Sequence, residues 1–237
     1  MFVKKNKMKY YYKFSLIMIL LVSVLNASSQ NEPKYLFEKS KLTVSAFGAP
    51  YAEFSMLNDQ FAFTGGGGAA LIFNNSFFIG GYGAGLVTHH YRNDMDTSVL
   101  KYLSMSMTAT PRISFRHGGV WLGYAYKANS LVHAAISAKI GWGNISIFDP
   151  NTDPNYEGNK AQDRVMVITP QVELELNLTP WLRLNIGAGY RVIAGIDKAY
   201  RYKDSKAEIK YYNSKDFNSP VGTISLFIGG FTKKPKQ

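Results

Sequence analysis

The chain has 237 residues, no cysteine, and 27 lysines and arginines against 16 aspartates and glutamates. The absence of cysteine excludes a disulfide framework, a cysteine-based zinc site and a thiol nucleophile. A hydrophobic fraction of 46% is too high for a disordered chain, and a mean hydropathy of −0.13 is too low for a bundle of membrane helices. The low charged fraction of 18%, together with 14% aromatic residues, favours an all-β protein.

The first 29 residues have the pattern of a secretory signal peptide. Five lysines precede residues 14–25, a run of mostly apolar side chains, and Ala27 and Ser29 then supply the small residues of a cleavage site. Such a run forms about 18 Å of helix, which is too short for a hydrocarbon core of about 30 Å. We predict a signal peptide at 1–29 and a periplasmic segment at 30–41. Its removal takes five lysines from the net charge of +11, so we expect no nucleic-acid partner.

The clearest strand signal lies in residues 165–178. Apolar residues occupy the even positions and polar residues the odd positions from Thr169, which is a period of two. A turn at Thr179 and Pro180 follows, and residues 182–192 repeat the alternation. Each run is about eleven residues long, which is typical of a tilted strand that crosses a bilayer and longer than the usual strand of a soluble sandwich.

Six more segments alternate in the same way, so the sequence predicts eight strands. They are residues 42–54, 60–73, 77–91, 111–126, 131–148 and 221–231. In the fourth strand we place Ile113 and Phe115 on the outward face together with Val120 and Leu122. That assignment needs one change of phase, which we interpret as a β-bulge at Gly118 and Gly119.

The connections alternate in length. Residues 74–76, 127–130 and 179–180 are short turns, whereas residues 92–110, 149–162 and 197–219 are long and polar; only the first connection, at 55–59, departs from this pattern. Short periplasmic turns and long extracellular loops are typical of outer-membrane barrels. We therefore predict an all-β fold: an eight-stranded antiparallel up-and-down transmembrane β-barrel over residues 42–231, in the outer membrane, followed by a basic tail at 232–237.

Three segments carry a resemblance to a known class. They are GGGGAALIFNNSFFIGGYGAGL at 65–86, GGVWLGYAY at 118–126 and LNLTPWLRLNIGAGYR at 176–191. The chain resembles the small eight-stranded outer-membrane β-barrels of Gram-negative bacteria, of the OmpA/OmpX-like class. The resemblance implies the architecture. It implies no single activity, because the class includes adhesins, structural tethers and lipid-modifying enzymes.

A barrel of eight strands has room inside only for its own side chains. On the predicted phase the lumen holds a polar cluster of Arg112, Arg116, His133, Lys139, Glu173, Glu175, Arg183 and Arg191, facing Gly81, Gly83 and Gly85 on the opposite wall. We expect the two glutamates to pair with the arginines of the neighbouring strand, Arg183 and Arg191. The cluster is interpreted as a packed polar plug; paired carboxylates for acid–base catalysis or a gated ion path are the alternatives.

Catalysis is a weaker hypothesis. His89 and His90 end the third strand at the predicted extracellular rim, and the following loop contains Asp94, Asp96, Ser104 and Ser106. A barrel enzyme that modifies lipid would need a serine and a histidine within hydrogen-bond distance, and no histidine here begins an H-x-S motif. We predict no catalytic residue and a non-enzymatic protein, with a lipid-modifying enzyme that uses His89 or His90 as the alternative.

Residues 149–158 space oxygen donors at every second position, as calcium loops do. Pro154 stands where such a loop needs its turning glycine, and Asp, Asn, Pro and Gly also form ordinary turns. We therefore interpret this segment as a solvated loop and predict no metal site and no cofactor.

The last long loop interleaves basic and aromatic side chains. We predict a surface contact site made of Tyr200, Arg201, Tyr202, Lys203, Tyr211 and Tyr212. Its partners would be outer-membrane lipids and lipopolysaccharide, or a surface glycan or protein ligand, and we expect a monomer. The leading hypothesis is thus a non-enzymatic outer-membrane barrel that acts through its extracellular loops; a soluble periplasmic lipocalin-like carrier is the third alternative.

Overall fold

A computed structural model describes residues 42–91, 100, 110–149, 160–196, 199–201, 208–210 and 212–231, with the backbone alone at 160–161, 199–201 and 208–210. Eight long strands form the wall: β1 (Val44–Leu57), β2 (Gln60–Phe73), β3 (Phe77–Leu86), β4 (Arg112–Ala125), β5 (Val132–Phe148), β6 (Lys160–Thr179), β7 (Leu182–Ala194) and β8 (Ser219–Gly229). Each strand pairs antiparallel with the next, and β1 pairs with β8, so the sheet closes on itself. The predicted eight-stranded up-and-down barrel is confirmed.

The connections divide the barrel into two ends. Residues 74–76, 126–131 and 180–181 connect strands at one end, which we call the short-turn end; residues 87–111, 149–159 and 195–218 connect them at the other, the long-loop end. The hairpin between β1 and β2 also turns at the long-loop end, through Asn58 and Asp59 with φ of 49° and 59°. Two consecutive residues of positive φ match the right-handed twist of the flanking strands, which is why Asn and Asp occupy this tight turn.

Strand β4 keeps one unbroken phase along its length. Gly118 pairs with Gly83 and Trp142, and Gly119 pairs with Tyr82, without any shift of register on either side. The predicted β-bulge is therefore wrong. Because the phase does not change, Ile113 and Phe115 lie buried inside the barrel and not on its outer face.

The outer face carries an apolar belt. On β5, every second residue from Val132 to Trp142 is apolar and points outward, and Asn144 and Ser146 then follow on the same face. Eleven residues rise about 33 Å along a strand, or about 25 Å after the tilt of a barrel strand, which is the height of the apolar band of a membrane barrel. Within the described ranges, no helix has the length and apolar content needed to cross a membrane.

Two apolar clusters fill opposite parts of the interior. The lower aromatic cluster lies in the half nearer the short turns and includes Phe47, Phe78, Trp121 and Phe227. The upper apolar cluster lies at the long-loop end and includes Leu57, Leu100, Ile113, Phe115, Ile145, Ile147, Val167, Ile193, Tyr212 and Phe217.

A single helical turn, α1 (Ser214–Phe217), closes the upper cluster. The Asn213 backbone N–H donates to Asp216 Oδ2 at 2.8 Å, which holds the start of the turn. Phe217 at its end is fully buried and packs edge-on against both Phe115 and Tyr212. The same connection contains a two-stranded ribbon of Ala199–Arg201 and Glu208–Lys210.

Candidate functional site

The polar residues of the lumen are arranged in three levels, which lie below the upper apolar cluster and beside the lower aromatic cluster. At the upper level, Arg191 on β7 donates from Nη1 to Glu53 Oε1 on β1 at 2.8 Å, and both side chains are 1% exposed. Arg191 also donates from Nε to the Phe217 carbonyl at 3.0 Å and from Nη2 to the Met56 carbonyl at 3.4 Å. The arginine therefore ties the wall to the turn that covers the upper cluster.

The middle level is built around Lys139 on β5. Its Nζ lies 3.9 Å from the centre of the Tyr51 ring and 5.3 Å from that of Trp121, so two aromatic faces stabilise the ammonium. The ammonium donates to Gln171 Oε1 at 3.4 Å, and Gln171 in turn donates to Thr223 Oγ1 on β8. This chain of contacts crosses the lumen from β5 to β8.

Glu173 lies one step nearer the short-turn end. Ser137 donates to its Oε1 at 2.6 Å and Asn185 donates to its Oε2 at 3.0 Å. Both carboxylate oxygens of this buried group thus accept a hydrogen bond from a neighbouring strand. Such satisfied hydrogen bonding is what allows a carboxylate to be buried.

The lower level is a triad around Glu175. Its Oε2 lies 2.7 Å from His133 Nε2 and accepts from Arg183 Nη1 at 3.0 Å. Arg183 also donates to Asn75 Oδ1 in the turn between β2 and β3, and its guanidinium lies 4.1 Å from the centre of the Phe231 ring. The triad thereby connects β5, β6 and β7 to the turn at 74–76 and to Phe231, the last residue that the structure describes.

These contacts make the lumen a charge-balanced plug. Between the upper apolar cluster and the short-turn end, the described lumen residues include three cations and three carboxylates, namely Lys139, Arg183, Arg191, Glu53, Glu173 and Glu175. Opposite charges in a low-dielectric interior must compensate one another, and here they do so through named pairs or through hydrogen bonds. The geometry is that of a packed interior.

The structure brings together six of the eight residues predicted for the lumen. His133, Lys139, Glu173, Glu175, Arg183 and Arg191 are all buried inside. Arg112 and Arg116 are not: they point outward, because β4 has no change of phase. Gly81, Gly83 and Gly85 also point outward, since Phe78 and Tyr82 on the same strand point inward.

Several lumen residues were absent from the sequence prediction. Glu53 is the partner of Arg191, in place of the predicted glutamates of β6. His117 is buried next to Tyr82, whose Oη lies 3.2 Å from His117 Nδ1. Glu53 is the only acid in β1, and this isolated charge could have indicated a lumen residue. His117 was missed because the assumed bulge placed it on the outer face.

The predicted contact site in the last loop is described only in part. Tyr212 is buried in the upper apolar cluster, with its Oη donating to the Ile145 carbonyl at 3.3 Å. Its side chain is therefore buried and does not lie on an exposed contact surface. Tyr200 and Arg201 lie in the short ribbon, where the backbone alone is described, and Tyr202, Lys203 and Tyr211 lie outside the described residues.

His90 is held in place by hydrogen bonds at the long-loop end. Thr88 Oγ1 lies 2.9 Å from its Nε2 and Gln60 Oε1 lies 3.3 Å from its Nδ1, which a neutral ring satisfies by donating from Nδ1 and accepting at Nε2. Burial, and then the neighbouring His89, lower the pKa of His90 below its ordinary value. His89 stacks on Tyr91 at the surface.

The acids and serines proposed as catalytic partners of these histidines, Asp94, Asp96, Ser104 and Ser106, lie outside the described residues. The calcium alternative at 149–158 lies outside them as well, apart from Asp149. Among the side chains that the structure describes, no group of three or more histidines and carboxylates has the geometry of a metal site.

The comparisons with known proteins concern the barrel alone. No protein-family model and no curated protein sequence matches the chain. Neisserial surface protein A is similar over 81% of this chain and 100% of its own, with 8% identity and a TM-score of 0.47. A major outer membrane protein of Thermus thermophilus is similar over 78% and 98%, with 10% identity and a TM-score of 0.47.

A third solved structure is that of Ail, the attachment invasion locus protein of Yersinia pestis, in complex with the heparin analogue sucrose octasulfate. It is similar over 79% of this chain and 97% of its own, with 14% identity and a TM-score of 0.40. All three are small barrels, whereas the closed strand pairing, the apolar belt and the filled lumen are observed in this chain itself. The chain is an eight-stranded β-barrel of the outer-membrane class.

Proposed function

We propose that this protein is a closed, non-enzymatic barrel of the bacterial outer membrane, and that its long-loop end contacts envelope lipid, a glycan or a protein partner at the cell surface. The observation that carries the proposal is the charge-balanced plug. With the lumen crossed by the Glu53–Arg191 pair, the Lys139 chain and the Glu175 triad, this protein meets other molecules from the outside of the barrel.

The orientation follows from the class of fold. In outer-membrane barrels the long loops face the exterior and the short turns face the periplasm. Aromatic side chains mark both borders of the belt, with Tyr126 and Trp181 near the short turns and Phe61 and Trp142 near the long loops. A signal peptide at 1–29 would supply the route across the inner membrane.

The alternative of a lipid-modifying enzyme has little support from the described geometry. His90 is buried, and its two ring nitrogens are already engaged, Nε2 by the Thr88 hydroxyl and Nδ1 by the Gln60 amide oxygen. The alternative of a soluble carrier is disfavoured by the outer face, because a water-soluble barrel would not expose a continuous belt that includes Ile136, Val172 and Leu174.

The first experiment is electrophoresis of the purified chain in SDS, with and without boiling, after detergent extraction of outer membranes. We expect a heat-dependent change of migration, because a closed barrel stays folded in cold SDS. A soluble periplasmic protein without such a change would contradict the proposal.

The second experiment tests the plug and the absence of enzymatic activity. In planar bilayers we expect no stable conductance from the folded protein. The mass profile of outer-membrane lipid should be the same with or without the protein, and the same for the His89→Ala, His90→Ala double variant. A steady open channel, or a lipid mass shift lost in the double variant, would each overturn the corresponding part of the proposal.

The third experiment concerns the loop. Labelled protein is tested against an array of neutral and acidic glycans, beside a variant that carries Tyr200→Ser, Arg201→Gln, Tyr202→Ser and Lys203→Gln. We expect binding that the variant loses. Equal binding by both proteins would remove this loop from the proposed contact surface.

A further inference from the structure

The outward-facing side chains of the wall change from apolar to polar at one height of the barrel. On β5 the apolar belt ends at Trp142, and the next outward residue is Asn144; on β6 it ends at Met166, and the next outward residue is Arg164. Trp142 pairs with Met166, and Asn144 pairs with Arg164, so the border of the belt is the same on both strands. In a membrane this border is where acyl chains give way to lipid headgroups.

Two arginines lie in the first row above that border. Arg116 on β4 pairs with Asn144, and Asn144 pairs with Arg164, so both guanidiniums extend from the same face on either side of one amide. Strands lie about 4.8 Å apart, which places the two arginine backbones about 10 Å from each other. That spacing lets two long side chains reach a single anionic group between them.

A groove of about 430 Å³ continues upward from this row. It is lined by Arg116 and Asn144 at its lower edge, by Ser114 and Ser146 in the middle, and by Arg112 at its upper edge. Arg112 lies 6.0 Å from the centre of the Phe148 ring, which supports its side chain. The groove thus offers cations at two heights, with hydroxyls and an amide between them.

The described acids of these strands do not lie on the outer face. Asp163, Glu173 and Glu175 on β6 and Asp149 after β5 are all buried, and β4 contains no acid. The outer face of β4 to β6 above the belt is therefore cationic, whereas the face below it is apolar.

We infer that this face is a binding site for a phosphorylated glycolipid of the outer leaflet. Arg116 and Arg164 hold a phosphate at the border, Ser114, Ser146 and Asn144 bind hydroxyls of the sugar, Arg112 meets a second anionic group higher up, and the acyl chains lie on the belt below. Arginine suits this role because its planar fork donates two hydrogen bonds to a phosphate. The inference rests on the proposed outer-membrane location and assigns one lipid class to the wall, apart from the predicted contact site in the last loop.

The test is native mass spectrometry of the full mature chain in a neutral detergent, titrated with bis-phosphorylated lipid A. The test variant is Arg116→Gln, Arg164→Gln. The control variant, Lys127→Gln, Lys215→Gln, removes the same charge from a short turn and from α1. Since the test variant loses hydrogen bonds from two charged groups to the phosphate, we expect it to bind about tenfold more weakly or worse, and the control to bind as the wild type does.

Two further measurements on the wild type identify the ligand chemistry without any variant. Lipid A from which both phosphates have been removed should bind at least about tenfold more weakly. Inorganic phosphate at millimolar concentration should not displace the intact lipid, because the acyl chains on the belt contribute to binding.

Equal weakening in the test and control variants, or equal binding of the dephosphorylated lipid, would overturn the assignment. Complete displacement by inorganic phosphate would overturn the lipid as its ligand. These outcomes are separate from a failure of the proposed function, which would appear as bilayer conductance or as the absence of a heat-dependent gel shift.

Discussion

Arg191 and Glu53 form an ion pair between two strands that are not neighbours in the sheet. Glu53 is on β1 and Arg191 is on β7, and β8 lies between them. The pair therefore reaches across the seam where the first and last strands meet to close the barrel. Because both charges are fully buried, neither has water as a substitute partner.

The first prediction concerns this pair. Glu53→Gln leaves Arg191 buried without a counter-charge, and breaking a buried pair in this way costs about 3–5 kcal/mol of unfolding free energy. The measurement is the urea midpoint in detergent micelles. The control Asp59→Asn removes an equal charge at an exposed turn and should shift the midpoint little.

The double variant Glu53→Met, Arg191→Met tests whether the loss of stability comes from an unpaired charge or from a disturbed fold. A buried ion pair can be replaced by apolar side chains of similar volume at little cost, so we expect the double variant to recover most of the loss. If its destabilisation equals the sum of those measured for Glu53→Met alone and Arg191→Met alone, the pairing is not the source of the effect.

The second prediction compares two glycines of β3. A Cβ at Gly80, which faces the lumen, would collide with the Ala69 carbonyl and with Ala70, whereas a Cβ at Gly83 would meet nothing within 4 Å. Gly80→Ala should therefore destabilise the barrel by about 1–3 kcal/mol. Gly83→Ala should be neutral or slightly stabilising. The same urea titration measures both variants. An equal loss of unfolding free energy in the two would mean that the inward and outward faces of β3 are assigned incorrectly.

The third prediction uses the three tryptophans. Trp121 is 1% exposed in the lumen, and Trp142 and Trp181 are 64% and 57% exposed on opposite borders of the belt. In proteoliposomes, variants that keep only Trp142 or only Trp181 should be quenched by spin-labelled lipids with a shallow label. A variant that keeps only Trp121 should respond neither to lipid quenchers nor to aqueous acrylamide; quenching by acrylamide would mean that water fills the lumen.

The fourth prediction is a local pH dependence at His90. Its pKa is lowered in the folded protein, so the unfolded chain binds more protons there, and stability around it should fall as the pH drops below the ordinary histidine pKa of about 6.5. The Phe63 amide reports on this site, because it donates to Thr88 Oγ1, which lies next to His90. Hydrogen exchange of that amide, corrected for intrinsic rates, should accelerate at pH 5, and His90→Gln should abolish the pH dependence.

The sequence predicted the barrel well where one face of a strand meets lipid. In β6 and β7 the outward residues are apolar and the inward ones polar over the whole width of the membrane, so the period of two identifies both faces. In β4 this rule fails above the belt. There the inward residues Ile113 and Phe115 join an apolar cluster, and the outward residues Arg112 and Arg116 are above the lipid core, so the pattern inverts without any change in the backbone.

The sequence predicted most of the charged residues that lie in the lumen, but not all of the pairs that they form. Neighbouring-strand reasoning found the contact between Glu175 and Arg183, because β6 and β7 are joined by a tight turn. The partner of Arg191 lies 138 residues away in the sequence, on a strand brought near only when the barrel closes. Local spacing contains no information about such a contact.

The unequal height of the wall determines which parts of the envelope each surface can touch. Strands β5 and β6 remain paired from Asn144 up to Phe148 and Lys160, a further rise of about 10 Å above the apolar belt after tilt. The headgroup layer on one side of a bilayer is only about 5–7 Å thick. Strand β4 is paired with β5 over the same height, up to Arg112 and Phe148, so in the proposed orientation a three-stranded extension of the wall rises past the headgroup layer, with Arg116 and Arg164 at its base.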